Sequence, residues 1–116
     1  MSARHAPPGA HYGIRDWIVQ RVSAVLIAAF VFLVLARLAL SEESGYGAWV
    51  SVFSPQPMRL LTEMAVAVLC WHAWIGVRDI WMDYVHPAGV RLALHVFTIG
   101  WLLFCLAWSV QIVWSF

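Results

Sequence analysis

Three long apolar stretches dominate the sequence, at residues 22–40, 60–77 and 92–113. The first contains one charged residue, Arg37, the second contains only Glu63, and the third contains no Asp, Glu, Lys or Arg. At about 1.5 Å per residue each stretch would form a helix roughly 27 to 33 Å long, which matches the hydrocarbon thickness of a bilayer. The pattern predicts an all-α integral membrane protein with three transmembrane helices, at about 20–40, 59–82 and 90–113.

Short segments rich in helix-breaking residues separate these stretches. Gly45, Gly47, Pro55 and Pro57 lie in the first connection, and Pro87 lies in the second. Because the links are short, the helices should run up, down and up and pack as neighbours, giving one membrane domain over 1–116. We do not expect a cleavable signal peptide, since residues 1–16, which include Pro7, Pro8, Arg15 and Asp16, precede the first stretch. That stretch is also longer than a usual signal-peptide core of about 7 to 15 residues.

Composition agrees with the apolar pattern. Hydrophobic residues make up 63% of the 116 and charged residues 11%, whereas soluble domains have about 45–50% and about 25%. The net charge of +1 provides no basic stripe, which excludes a nucleic-acid-binding protein.

The arginines predict the orientation. Five of them lie in or beside the N-terminal segment and the second connection. Two lie beside the first connection, which itself carries two glutamates. By the positive-inside rule, segment 1–16 and the second connection are cytoplasmic. The five cytoplasmic arginines are Arg4, Arg15, Arg21, Arg78 and Arg91, and the other two are Arg37 and Arg59.

Several other residue types have ordinary structural interpretations. Cys70 and Cys105 lie on different predicted helices without CxxC spacing, and we expect them to act as small apolar side chains. The small residues Ser23, Ala24 and Ala28 would let another helix approach the first one closely. Four tryptophans near predicted helix ends or in a connection are expected at headgroup depth with hydrated N–H groups: Trp17, Trp49, Trp81 and Trp114.

Polar residues inside the spans need a partner or a function, because no water is available there. His72 lies near the middle of the second span. At 100° per residue, polar and small residues of this helix fall within about 60° of one another, and we expect this stripe to face protein. The stripe consists of Ala65, His72, Gly76, Asp79 and Asp83.

His72 has two interpretations. It can hydrogen-bond another helix, or it can be an axial ligand of haem iron, with Gly76 leaving room for a flat ligand. His95 is the other intramembrane histidine, but it should lie about 10 Å from the depth of His72. We therefore expect His95 to pack or hydrogen-bond, and a second haem ligand to come from a partner subunit.

The second helix carries a resemblance to a known family. His72-Ala73-Trp74-Ile75-Gly76, then Ile80, then Asp83-Tyr84-Val85 and Pro87 resemble the HxxxGxxx(V/I)xxDY motif of the hydrophobic membrane anchor subunit of succinate dehydrogenase. Residues 13–24, GIRDWIVQRVSA, are similar to the stretch that enters the first helix of that family. With the three spans, the resemblance covers nearly the whole chain.

The resemblance implies a heteromeric helical bundle in a bacterial cytoplasmic membrane, formed with a second cytochrome b anchor under iron-sulfur and flavoprotein subunits. It implies that His72 is an axial ligand of a shared haem b iron and that Arg21 lies near a haem propionate. Tyr84 would hydrogen-bond ubiquinone, with Asp83 beside it. The chain itself would hold no catalytic residue for succinate oxidation, and would serve the tricarboxylic acid cycle and electron transport as an anchor.

Alternatives remain at this point. The chain could anchor a fumarate reductase, or it could be a three-span scaffold or assembly protein without a cofactor. Asp83 could be a solvated helix-end residue, and Arg21 an ordinary cytoplasmic anchor.

Overall fold

The computed structural model describes the backbone of residues 10–116 and the side chains from residue 13 onward. This part of the chain forms four helices: α1 (Ala10–Ala39), α2 (Tyr46–Phe53), α3 (Gln56–Tyr84) and α4 (Ala88–Val113). Three of them, α1, α3 and α4, are long and apolar enough to cross a membrane. The predicted all-α fold with three spans is confirmed. Most of the predicted segment 1–16, including Arg4, lies outside the described residues.

Helix α1 begins ten residues before the predicted start of the first span. Its 30 residues reach about 45 Å, which exceeds the hydrocarbon thickness of about 30 Å. The helix therefore continues beyond the bilayer, where hydropathy no longer marks it. Residues 10–16 of the predicted N-terminal segment belong to this helical extension.

The ends of α3 and α4 lie within three residues of the predicted bounds. Pro55 is the N-cap of α3 and Pro57 lies in its first turn, where a missing N–H removes no helical hydrogen bond. Pro87 is the N-cap of α4 in the same way. These prolines start the helices that they were expected to delimit.

Helix α2 was not predicted. It follows Gly45, whose φ of 63° favours glycine, and it buries Ala48, Val52 and Phe53. Val52 and Phe53 form a buried cluster with Met58, against which α1 side chains and Phe116 pack. Thus α2 lies in the connection between α1 and α3 and packs across that end of the bundle.

Helix α3 is central, because it packs against both α1 and α4. In the most apolar 18-residue windows of α1, α3 and α4, only 6%, 11% and 11% of the residues are buried. The long faces of the bundle therefore need lipid or other membrane proteins to cover them.

Candidate functional site

Three contacts between α1 and α3 define the register of these helices. Asp16 pairs with Arg78, Gln20 faces Gly76, and Ser23 contacts His72. Residue numbers rise along α1 as they fall along α3, so the two helices are antiparallel. The three contacts run from the end of the bundle at Arg78 towards its middle, and we call them the α1–α3 polar seam.

His72 lies at the inner end of the polar seam. It is the seventeenth residue of α3, about 24 Å from the first residue and about 18 Å from the last. The Oγ atom of Ser23 lies 2.8 Å from Nδ1 of the imidazole. This distance is that of a good hydrogen bond, so the Nδ1 edge of the ring is held against α1.

The other ring nitrogen of His72 remains open. Nε2 has no hydrogen-bond partner among the described residues. Its surface is nevertheless not completely covered by them, so this nitrogen is not fully enclosed. An imidazole held at Nδ1 and open at Nε2 can bind a metal through that second nitrogen.

Gly76 lies against Gln20. A Cβ atom added at Gly76 would lie 3.7 Å from Nε2 of Gln20, an ordinary van der Waals distance. Packing within this chain therefore has room for a methyl group at Gly76. Gln20 therefore borders the space at Gly76 on the side that a Cβ would take.

An ion pair that the sequence pattern did not predict lies at the outer end of the polar seam. The guanidinium of Arg78 donates to the Asp16 carboxylate, and the two side chains are 27% and 28% exposed. Arg78 also lies 3.8 Å from the carboxylate of Asp79. Opposite charges at matching depths of two antiparallel helices are a usable signal, but only once the register is known.

The other expected site residues lie nearer the end of the bundle and do not gather around His72. Asp83 and Tyr84 are the last two residues of α3, and Tyr84 is 79% exposed. The predicted stripe is half-buried at His72 and Gly76 but exposed at Asp79 and Asp83. Its outer part therefore faces solvent or a partner rather than this chain.

Arg21 is exposed on α1. Its guanidinium lies over the Trp17 ring, 5.2 Å from the ring centre, which is cation–π geometry. Arg21 precedes Ser23 by two residues, or about 200° around the helix. It therefore projects from a different face of α1 than the polar seam.

His95 lies at the interface of α3 and α4. Its ring meets Trp74 edge to face with centroids 5.6 Å apart, and its Nε2 is enclosed without a hydrogen-bond partner. His72, by contrast, bonds to α1. The two imidazoles thus contact different helices, in line with the expected packing role of His95.

Several polar contacts join α3 to α4, among them a weak one from the Cys70 thiol to the main-chain oxygen of Leu102 at 3.7 Å. The indole N–H of Trp81 donates to Thr98 at 2.9 Å, so the expectation that this N–H is hydrated is wrong, because α4 supplies an acceptor. Ser109 donates to Glu63 at 3.2 Å. Cys70 and Cys105 are free thiols.

The fold and these contacts define a small multi-pass membrane protein whose polar residues lie mainly along two helix interfaces. The chain belongs to the family described as succinate dehydrogenase/fumarate reductase transmembrane subunit, which it matches over residues 3–108. One similar protein, from Coxiella burnetii (strain RSA 493 / Nine Mile phase I), is named succinate dehydrogenase hydrophobic membrane anchor subunit. The two are 33% identical over 102 residues, which cover 88% of this chain and 89% of the relative.

Proposed function

We propose that this protein is the hydrophobic membrane anchor subunit of a succinate dehydrogenase and that it supplies one axial ligand to a haem b shared with a second anchor subunit. The observation that carries the proposal is the open Nε2 of His72 on a ring fixed at Nδ1 by Ser23. Family membership and the name of the Coxiella relative support the wider assignment.

The residues around His72 fit one half of a haem site. Among the described residues, no group of three or more His, Cys, Asp or Glu side chains could hold a metal ion. An iron bound by His72 would take its other ligands from a porphyrin and a partner subunit. Beside Ser23, an apolar groove of about 420 Å³ runs between Val22 of α1 and Trp71 of α3. Bound haem b would supply a one-electron redox centre within the membrane.

Arg21 is proposed to bind a haem propionate. Its exposed guanidinium has no carboxylate partner among the described residues. Because the Arg21 side chain is exposed, its guanidinium would be available to hydrogen-bond a propionate carboxylate.

Tyr84 and Asp83 are proposed to form this chain's part of a ubiquinone site. Reduction of a quinone places negative charge on its oxygens, so a hydrogen-bond donor and a route for protons are needed. The exposed Tyr84 hydroxyl is a donor at neutral pH. Asp83 can orient that hydroxyl or pass protons from the aqueous side, since it is exposed at the same helix end.

We also propose partner subunits and a membrane location for this protein. The described arginines at one end of the bundle, Arg15, Arg21, Arg78 and Arg91, favour the cytoplasmic side of a bacterial inner membrane. The iron-sulfur and flavoprotein subunits would dock on that side, where Asp83 and Tyr84 end α3. Succinate oxidation would take place in those subunits.

Replacing His72 tests the proposal. In the purified complex, His72→Ala should abolish or strongly perturb the reduced haem b absorption bands, because iron loses an axial nitrogen. His95→Ala is the matched control, since it removes the other intramembrane histidine and should preserve the bands. Unchanged bands in an assembled His72→Ala complex would refute the ligand assignment.

Copurification separates this proposal from a cofactor-free scaffold. The proposed subunit should copurify with proteins that carry flavin, iron-sulfur clusters and haem. A colourless complex would support the scaffold. Because the family description includes fumarate reductase, both succinate oxidation and fumarate reduction should be assayed on the same preparation.

A further inference from the structure

Ser23 makes two contacts with a single hydroxyl proton. Its Oγ lies 3.0 Å from the main-chain oxygen of Gln20 and 2.8 Å from Nδ1 of His72. Ser23 is only 5% exposed, so water has little access to complete these contacts. The positions of two protons therefore determine whether both contacts are hydrogen bonds.

Only one proton arrangement makes both contacts hydrogen bonds. The Ser23 hydroxyl donates to the Gln20 carbonyl, and the Nδ1–H of His72 donates to the Ser23 oxygen. In a neutral imidazole this places the proton on Nδ1 and leaves Nε2 with a free lone pair. If Ser23 donated to Nδ1 instead, Nε2 would carry the proton and could not bind a metal.

The hydroxyl also affects the strength of the ligand. When a neighbouring group accepts a hydrogen bond from the ring N–H that faces away from a metal, it orients the imidazole. It also makes the other ring nitrogen a stronger electron-pair donor to the metal. Among the described residues, His72 has no other hydrogen-bond partner. Ser23 is thus the one described group that can supply this effect.

We infer that Ser23 is the positioning residue of His72: it selects the tautomer with a free Nε2 and holds the ring in the orientation that binds haem iron. This inference rests on the proposed function, in which His72 is an axial ligand. It assigns to a serine of α1 a role in a site whose metal ligand comes from α3.

Removal of the Ser23 hydroxyl should change the binding and the redox properties of the haem while the fold is kept. In the assembled complex, Ser23→Ala should weaken haem retention by about ten- to hundredfold. The haem that remains should have a more positive midpoint potential, because a less basic imidazole stabilises ferric iron less, and the g values of its ferric form should shift.

A matched control is available on α4. Ser109 also contacts a main-chain carbonyl three residues back, that of Leu106, and an α3 side chain, that of Glu63. Ser109→Ala should therefore reproduce the structural cost of a lost interhelical serine and leave the midpoint potential and g values unchanged.

An isosteric pair covers the case in which Ser23→Ala fails to assemble. Ser23→Thr and Ser23→Val have nearly the same shape, but only threonine keeps the hydroxyl. Threonine should preserve the haem potential and valine should shift it. Equal potentials in assembled threonine and valine variants would overturn the inference, as would failure of both variants to assemble while Ser109→Val assembles, since Ser23 would then be a packing residue.

His72→Ala distinguishes the failure of this inference from that of the proposed function. Unchanged haem in His72→Ala would refute both. Loss of haem in His72→Ala, with normal potential and g values in Ser23→Ala, would refute the role of Ser23 and leave the haem assignment intact.

Discussion

Individual polar residues in the spans are informative because each of them must be satisfied within the membrane. The depth of His72 could be predicted from its position in an apolar stretch. Ser23 was interpreted only as a small residue, because its partner lies 49 positions away and the register between α1 and α3 is a tertiary property. The same reason hid the pairing of Asp16 with Arg78.

The exposed end of α3 gives the prediction for quinone chemistry. Tyr84→Phe removes one hydroxyl from a side chain that is 79% exposed, so the fold should be unaffected. Loss of one hydrogen bond to a quinone oxygen should reduce ubiquinone reduction about tenfold. Succinate oxidation with an artificial soluble acceptor should be unchanged.

Tyr46→Phe is the control for this measurement. Tyr46 is 74% exposed and begins α2 at the opposite end of the bundle. Its replacement should leave both activities intact. Equal loss of both activities in Tyr84→Phe would point to a general defect and contradict a role in quinone binding.

At the level of elements, hydropathy predicted the membrane-crossing helices well, because lipid requires long apolar stretches. It missed α2 because eight residues are too few to form a stable helix alone and because Gly45 and Gly47 mark a turn. Burial of Val52 and Phe53 against Met58 and α1 supplies the missing stabilisation. Tertiary packing therefore stabilises α2, which the sequence pattern did not predict.

The ion pair between α1 and α3 gives a prediction about helix association. Asp16 and Arg78 are little more than one-quarter exposed, so their attraction should exceed that of a fully solvated pair. We expect a coupling free energy of about 1 kcal/mol. The measurement is a double-mutant cycle of unfolding in detergent with Asp16→Asn, Arg78→Gln and the double variant.

The same cycle on Trp81→Phe and Thr98→Val is a control at the interface of α3 and α4. It should show coupling of its own but none with Asp16→Asn. If the effects of Asp16→Asn and Arg78→Gln simply add, the ion pair does not stabilise the contact between α1 and α3.

The whole molecule has too little internal burial to act as an isolated unit. No more than 11% of the residues in the most apolar window of any described span are buried. The described polar contacts between spans all involve α3, which packs against both α1 and α4. A three-helix chain with an open imidazole nitrogen is therefore best understood as part of a larger membrane assembly, in agreement with its family.

Charge at the two ends of this bundle predicts how it is inserted. Exposed Glu42 and Glu43 lie at the end closed by α2, whereas Arg15, Arg21 and Arg91 lie at the other end, so Ser44 should face the outside of the cell. With Cys70 and Cys105 changed to alanine, Ser44→Cys should react with a membrane-impermeant maleimide in spheroplasts but not in sealed inverted vesicles. The cysteine-free chain controls for background labelling. Because Ser44 is exposed, labelling from the cytoplasmic side alone would mean that the bundle is inserted in the opposite orientation, and that Tyr84 faces outward.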